Sequence, residues 1–94
     1  MKKDTKSRLT HRIKIIQGQT IGLEKMITNG AYCMDIVTQS LAVQKSLASL
    51  SKLTVAHHIE THITDMMASG KVKEQQKARD ELAVLFELIN VRGK

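Results

Sequence analysis

The chain has 94 residues, 41% of them hydrophobic, with no proline, one cysteine and two aromatic residues. So short a chain buries only roughly 60–65% of the surface that its unfolded form exposes, which predicts one domain, residues 1–94, completed by partner subunits. Uncharged runs such as residues 26–34 fall far short of the ~20 apolar residues of a membrane span. We therefore expect a cytoplasmic protein with no membrane segment.

The net charge of +6 is distributed unevenly along the chain. Residues 1–25 hold seven Lys and Arg against two Asp and Glu, whereas residues 26–68 hold two against three. A basic end without a large apolar stripe favours nucleic acid over membrane, with a merely solvated surface as the alternative. Because so few aromatic residues are available for stacking on single strands, a duplex read through its backbone and shape is the preferred form of nucleic acid.

The apolar pattern predicts an all-α fold of three helices. The first helix, residues 5–28, ends at Asn29-Gly30. A stripe of residues spaced alternately four and three apart runs along one face of this helix; the stripe consists of Leu9, Ile13, Ile16, Thr20, Leu23 and Ile27. No other strong helix breaker occurs before Gly70, so residues 31–68 are predicted to form one uninterrupted helix. The third helix, residues 72–91, is expected to bury Ala78, Leu82, Leu85, Phe86 and Ile89.

The middle helix is too long to be covered by its own chain. At ~1.5 Å per residue it measures roughly 55 Å, several times the ~13 Å radius of gyration of a compact domain of this size. Small residues at its centre permit close approach of a second helix. Antiparallel pairing of two copies, giving a four-helix bundle in a homodimer, is the economical solution.

Three side chains in this helix suggest a metal site. His58 and His62 share one helical face, about 6 Å apart at Cβ, while His57 points about 100° away. Cys33 precedes His58 by roughly 37 Å of helix, so only a second, antiparallel copy can supply it to the histidine pair. A thiolate with two imidazoles suits copper(I), and also zinc, nickel or cobalt if further ligands join. The alternative is structural: two surface histidines and a small apolar cysteine.

Four segments resemble a known family of repressors. They are HRIKIIQGQTIG at residues 11–22, YCMDIVTQ at residues 32–39, Ala42-Val43, and His58 followed by His62. Together they are similar to the copper-sensing (CsoR), nickel/cobalt-sensing (RcnR) and formaldehyde-sensing (FrmR) repressors, the copper sensors above all. The resemblance implies a dimer of dimers, that is a homotetramer, which binds operator DNA without metal and releases it when metal binds across the dimer interface.

The resemblance also assigns roles to individual residues. Cys33, His58 and His62 match the metal ligands. Tyr32 matches a tyrosine that, with a glutamate of the third helix, links the liganding histidine to the DNA-binding surface; we assign that glutamate to Glu81, with Glu74 as the competing candidate. For DNA contacts the sequence offers Arg12 and Lys14 on the first helix and Lys45 and Lys52 on the second, although Gln44 stands where family members usually have arginine.

The chain departs from the residue patterns of several subclasses of this family, and these departures narrow the choice of sensed ligand. Lys2 replaces the proline of formaldehyde sensors, His58 replaces the second cysteine of persulfide sensors, and residues 2–10 lack the N-terminal histidine of nickel and cobalt sensors. Copper(I), which needs only three ligands, is therefore preferred, with nickel or cobalt as the alternative. The alternative outside the repressor class is a helical metal-storage or metal-transfer protein that does not bind DNA. No enzyme is expected, because no nucleophile motif or phosphate-binding loop occurs.

Overall fold

A computed structural model describes the backbone of residues 1–91 and the side chains of residues 1–89. Its elements are α1 (Lys3–Thr28), α2 (Cys33–His58), a π-helical turn (Ile59–Ile63), α3 (Thr64–Ala68) and α4 (Val72–Val91). The part of the chain described contains helices and turns but no strand. The predicted all-α class is confirmed, and the predicted third helix coincides with α4.

The predicted middle helix differs from the observed one in two respects. It begins at Cys33 rather than at residue 31, and a π-helical turn interrupts its regular hydrogen bonding after His58. The residues that flank this turn, His58 and Thr64, keep right-handed helical backbone angles, so the chain stays helical through it. The predicted continuity of the helix is confirmed, and the π-helical turn within it was not predicted because hydrophobic spacing does not register a single extra residue within one turn.

A helix cap that requires glycine ends α1 and leads the chain into α2. Gly30 has a φ of +68°, which a residue with a Cβ adopts only at a cost. The N–H of Ala31 donates to Met26 O at 2.8 Å and that of Gly30 to Ile27 O at 3.1 Å. These two bonds satisfy the last carbonyls of α1 in a Schellman motif, so the helix ends where Asn29-Gly30 predicts.

The chain divides into two compact units, of which the first is Met1–Thr54. Within it α2 folds back along α1: Gln39 Nε2 donates to the carbonyl oxygen of Gln19 at 3.1 Å. Of the predicted α1 stripe only Ile16 is buried, at 5% exposure, whereas Ile13 and Ile27 are 37% and 59% exposed. A single neighbouring helix covers only part of a stripe that runs the length of α1.

The second unit begins at Val55 and holds the end of α2, the π turn, α3 and α4. Gly70, with a φ of +74°, allows the reversal into α4, as the sequence predicts. Buried residues of this unit are His57, Ile63 and Ala78. The expectation of one domain for residues 1–94 stays a prediction.

The predicted buried face of α4 is only partly correct. Ala78 is fully buried and Leu85 is half-buried, but Leu82, Phe86 and Ile89 are 37%, 70% and 51% exposed. The apolar side of α4 is wider than the surface that the preceding segment covers, so its flank remains open in the single chain. None of the helices in residues 1–91 is both long and apolar enough to cross a membrane.

Candidate metal centre

The two histidines of the predicted site lie side by side in the second unit. His58 is the last residue of α2, and His62 lies within the π turn. Their ring centroids are 5.1 Å apart, with the ring planes tilted by 35°. His58 is half-buried and His62 exposed, so the pair presents imidazole nitrogens at the surface of the unit. His57, by contrast, is buried, at 9% exposure.

A carboxylate from α4 holds the first of these rings. His58 Nε2 and Glu81 Oε1 are 2.6 Å apart, and the two side chains are 32% and 33% exposed. A neutral imidazole that donates its Nε2–H to a carboxylate keeps a lone pair on Nδ1. This is the arrangement in which an outer carboxylate fixes the tautomer and orientation of a metal-binding histidine. Of the two candidate glutamates, Glu81 is thus the one bonded to His58, and Glu74 lies seven residues earlier in α4.

Threonine side chains bond to the backbone at both ends of the π turn that carries His62, and the Thr64 bond closes the turn. The carbonyl oxygen of Ile59 accepts the backbone N–H of Thr64, five residues ahead, and also the Thr64 hydroxyl at 2.7 Å. The Thr61 hydroxyl donates to the carbonyl oxygen of His57 at 2.8 Å. The threonines did not emerge from the sequence analysis, since no spacing rule distinguishes a threonine that closes a π turn from one on a regular helix.

The predicted cysteine ligand lies in the first unit. Cys33 is the first residue of α2 and carries an exposed free thiol. The carbonyl of Tyr32 accepts the N–H groups of Asp35 and Ile36, so Tyr32 caps the start of α2, with its side chain 72% exposed. Within residues 1–91 no three His, Cys, Asp or Glu side chains are grouped as a metal site.

The predicted DNA contacts lie on α1 and α2. Arg12 is half-buried and lines a surface hollow together with Arg8 and His11. Lys14 is exposed and lies about 200° around α1 from Arg12, on nearly the opposite face. Arg8 was missed in the sequence analysis, although its spacing of four from Arg12 could have shown that the two guanidinium groups share a face.

Two further predicted contacts, Lys45 and Lys52, are exposed on α2. They are seven residues apart and therefore lie on one face of that helix. Both belong to the first unit, as do Arg8 and Arg12. The first unit thus carries all the basic residues that the sequence proposes for DNA.

Comparison with known proteins relates the chain to metal-sensing transcriptional repressors. Residues 5–90 match the family described as metal-sensitive transcriptional repressor. The copper-sensing transcriptional repressor CsoR of Bacillus subtilis is 32% identical over 82 residues, which cover 87% of this chain and 78% of that protein. CsoR of Mycobacterium ulcerans is 33% identical over 84% of this chain and 65% of its own length. The copper-sensing repressor RicR of Mycobacterium tuberculosis is 27% identical over 89% of this chain and 88% of its own length.

No solved structure matches the chain significantly. The family assignment therefore rests on sequence, on a match that takes in α1, α2, the π turn, α3 and nearly all of α4. The resemblance predicted from the Tyr-Cys segment and the histidine pair is confirmed. The chain belongs to the family of metal-sensitive transcriptional repressors, a family of regulators rather than enzymes.

Proposed function

We propose that this chain is a cytoplasmic, copper(I)-responsive repressor that binds double-stranded operator DNA without metal and releases it when the ion binds. The site consists of Cys33 from one chain and His58 and His62 from another. The observation that carries the proposal is the His58 ring, which is bonded to Glu81 through Nε2, keeps Nδ1 for a metal, and lies 5.1 Å from the His62 ring.

The donor set fits the proposed ion. A thiolate is a soft ligand that selects copper(I), and imidazole also binds copper. Two of the similar proteins are named copper-sensing CsoR and a third copper-sensing RicR, which supports the same choice. When bound, copper(I) links ligands from two chains. Nickel and cobalt, which favour more ligands than copper(I), are the alternative metals. Measurement of the coordination number distinguishes them from copper(I).

The surface around Cys33 supports a site shared between chains. Cys33, Val37 and Leu41 recur every four residues on α2 and so lie along one stripe. All three are exposed, Val37 at 51% and Leu41 at 54%. A stripe of this kind on a helix of 26 residues is what an antiparallel second copy would bury. We infer a homodimer in which each Cys33 meets the other chain's histidines, and a homotetramer built from two such dimers.

DNA release requires only that the two states differ in DNA affinity. A coupling free energy of ~1–3 kcal/mol is typical of allosteric proteins. In the proposed mechanism, ligation draws the Cys33 end of one chain towards the histidine pair of the other. That favours a dimer in which the basic residues of the first unit no longer match the spacing of DNA phosphates.

Operator binding by the purified protein tests the proposal directly. DNA from the promoter of its own gene should be retarded in gels without metal, and copper(I) should weaken that binding. Cys33→Ala should bind the same DNA with unchanged affinity but no longer respond to copper(I). A full copper response in Cys33→Ala would refute the mechanism, and absence of specific retardation would favour a metal-storage protein.

Mixing two inactive variants tests whether the site is shared. Cys33→Ala and His62→Ala homodimers should both fail to bind copper(I) tightly. In a mixed dimer one site lacks both residues, while the other combines an intact Cys33 with an intact histidine pair. Random mixing of chains should then restore about a quarter of the wild-type sites, because about half of the dimers are mixed and each has one of two sites. A site within one chain predicts no recovery.

X-ray absorption of the loaded protein identifies the metal environment. Three-coordinate sulfur/nitrogen ligation with copper(I) agrees with the proposal. Six-coordinate ligation with nickel(II), at an affinity that exceeds the copper(I) affinity, would instead indicate a nickel- or cobalt-responsive repressor.

A further inference from the structure

We propose that Thr64 is a positioning residue for the metal site, because its hydroxyl stabilises the π turn that sets the direction of His62 relative to His58. This inference rests on the proposed function, since it concerns the same histidine pair. No contact between Thr64 and a metal is involved. Thr64 acts through the backbone of the turn.

The Thr64 hydroxyl makes a bond that is tied to the π turn. Threonine in a regular helix donates to the carbonyl three or four residues earlier, as Thr54 does to Leu50 O at 2.9 Å. Thr64 instead reaches the carbonyl of Ile59, five residues earlier, at 2.7 Å. The same carbonyl accepts the Thr64 backbone N–H. Both donors of one residue thus hold the carbonyl that a regular α-helix would pair with the N–H of Ile63.

A second threonine supports the other end of the turn. The Thr61 hydroxyl donates to the carbonyl of His57, the residue that precedes the metal-binding histidine. That carbonyl lies at the junction where α2 passes into the π turn. This bond spans four residues, as in a regular helix, so it lies on the α-helical side of the junction, whereas the Thr64 bond follows the five-residue spacing of the π turn.

The π turn matters because His62 lies inside it. An i→i+5 turn takes one more residue than an α-turn, so the two geometries place the residues within the turn at different angles around the helix axis. His58 precedes the turn and is held by Glu81, so it would keep its direction. His62 would turn relative to it. Because residues four apart still share a face in a regular α-helix, the π turn sets the finer direction of the His62 ring and its 5.1 Å approach to the His58 ring.

A buried isoleucine anchors the end of the turn. Ile63 is 4% exposed, so its side chain is fixed in the interior of the second unit. Because His58 is tied at one end and Ile63 is buried at the other, any change in the hydrogen bonds of the turn is taken up by the residues between them, which include His62. The Thr64 hydroxyl is one of those bonds, and it favours the π form.

Three variants of the full-length protein separate positioning from simple stability. Thr64→Val removes the hydroxyl while keeping the branched shape, and Thr64→Ser keeps the hydroxyl. Thr54→Val is the matched control, because it deletes the equivalent bond in the regular part of α2. Copper(I) affinity is measured by competition with a chelator, and the metal-free proteins are compared by nuclear Overhauser contacts between the His58 and His62 rings.

We expect Thr64→Val to bind copper(I) about tenfold more weakly, in line with the effect of outer residues that orient metal ligands. Thr64→Ser should restore the affinity, Thr54→Val should leave it near wild type, and only Thr64→Val should weaken the ring–ring contacts in the metal-free protein. Equal affinities for Thr64→Val and Thr54→Val would overturn the inference, as would unchanged ring contacts in Thr64→Val.

The two proposals fail differently in this experiment. Wild-type protein that binds no copper(I) refutes the proposed function, while the ring contacts of metal-free Thr64→Val still decide the role of the hydroxyl.

Discussion

The bond between Glu81 and His58 gives the sharpest prediction about metal affinity. Replacing Glu81 by alanine removes the acceptor that orients the imidazole, and replacing it by glutamine keeps an oxygen acceptor but removes the charge. Neither change touches a proposed ligand. Both should therefore weaken copper(I) binding without abolishing it, and the alanine variant should be the weaker of the two.

The structure sets the size of the effect. A hydrogen bond to a charged group contributes about 1.5–3 kcal/mol, and the 2.6 Å contact lies at the short end of the range for such bonds. Because both side chains are about one third exposed, solvent screening favours the lower limit. We therefore expect Glu81→Ala to lose about 1.4 kcal/mol, or about tenfold in affinity. A neutral bond is about half as strong, so Glu81→Gln should lose about threefold.

Chelator competition measures these affinities, and the chain itself supplies the control. Glu74→Gln alters the competing glutamate on the same helix, two turns away, and should leave copper(I) affinity unchanged. Circular dichroism verifies that the helical content of each variant is intact. If Glu74→Gln weakened binding and Glu81→Gln did not, the assignment of the orienting carboxylate would be refuted.

Three further predictions concern DNA, stability and pH. Arg8→Ala should weaken operator binding for all sequences and reduce the slope of log affinity against log salt by about one for each copy of Arg8 that contacts a phosphate, measured by fluorescence anisotropy; an unchanged slope would exclude the Arg8–Arg12 hollow from the DNA surface. Gly30→Ala should lower the free energy of unfolding by about 1 kcal/mol, because alanine is strained at a φ of +68°; an unaltered urea midpoint would contradict this account of the cap. Copper(I) affinity should fall as the pH is lowered, because protons compete with the metal for the Cys33 sulfur and for the ligating nitrogen of each imidazole; a flat profile would argue against these ligands.

The sequence predicted most of the fold because the features that matter are local. Asn29-Gly30 and Gly70 mark the two reversals, and both glycines adopt the positive φ that makes glycine necessary there. The histidine pair was equally accessible, since a spacing of four residues places two side chains on one helical face. These predictions needed no knowledge of how the helices pack.

What the sequence could not supply depends on packing and on single hydrogen bonds. The choice between Glu74 and Glu81 depends on how α4 lies against the end of α2, which no periodicity reports. The π turn follows from one extra residue and the hydroxyl of Thr64. The exposure of Phe86, at 70%, reflects how little of α4 one chain can cover. Apolar spacing identifies a face that becomes buried, but it does not tell whether the same chain or another one buries it.

The Glu81–His58 bond is also of the right size to contribute to the DNA release that we propose. A metal held by Nδ1 would withdraw electron density from the imidazole and so strengthen donation from Nε2–H to the carboxylate. A charge-assisted bond contributes ~1.5–3 kcal/mol in all, so a partial strengthening supplies up to about 1 kcal/mol of a coupling that typically totals ~1–3 kcal/mol. The bond alone is therefore too weak to account for a strong response. In the proposed mechanism the rest comes from the movement of one chain against the other as Cys33 is drawn to the histidine pair, so Glu81→Gln should reduce the copper effect on operator binding, whereas Cys33→Ala should abolish it.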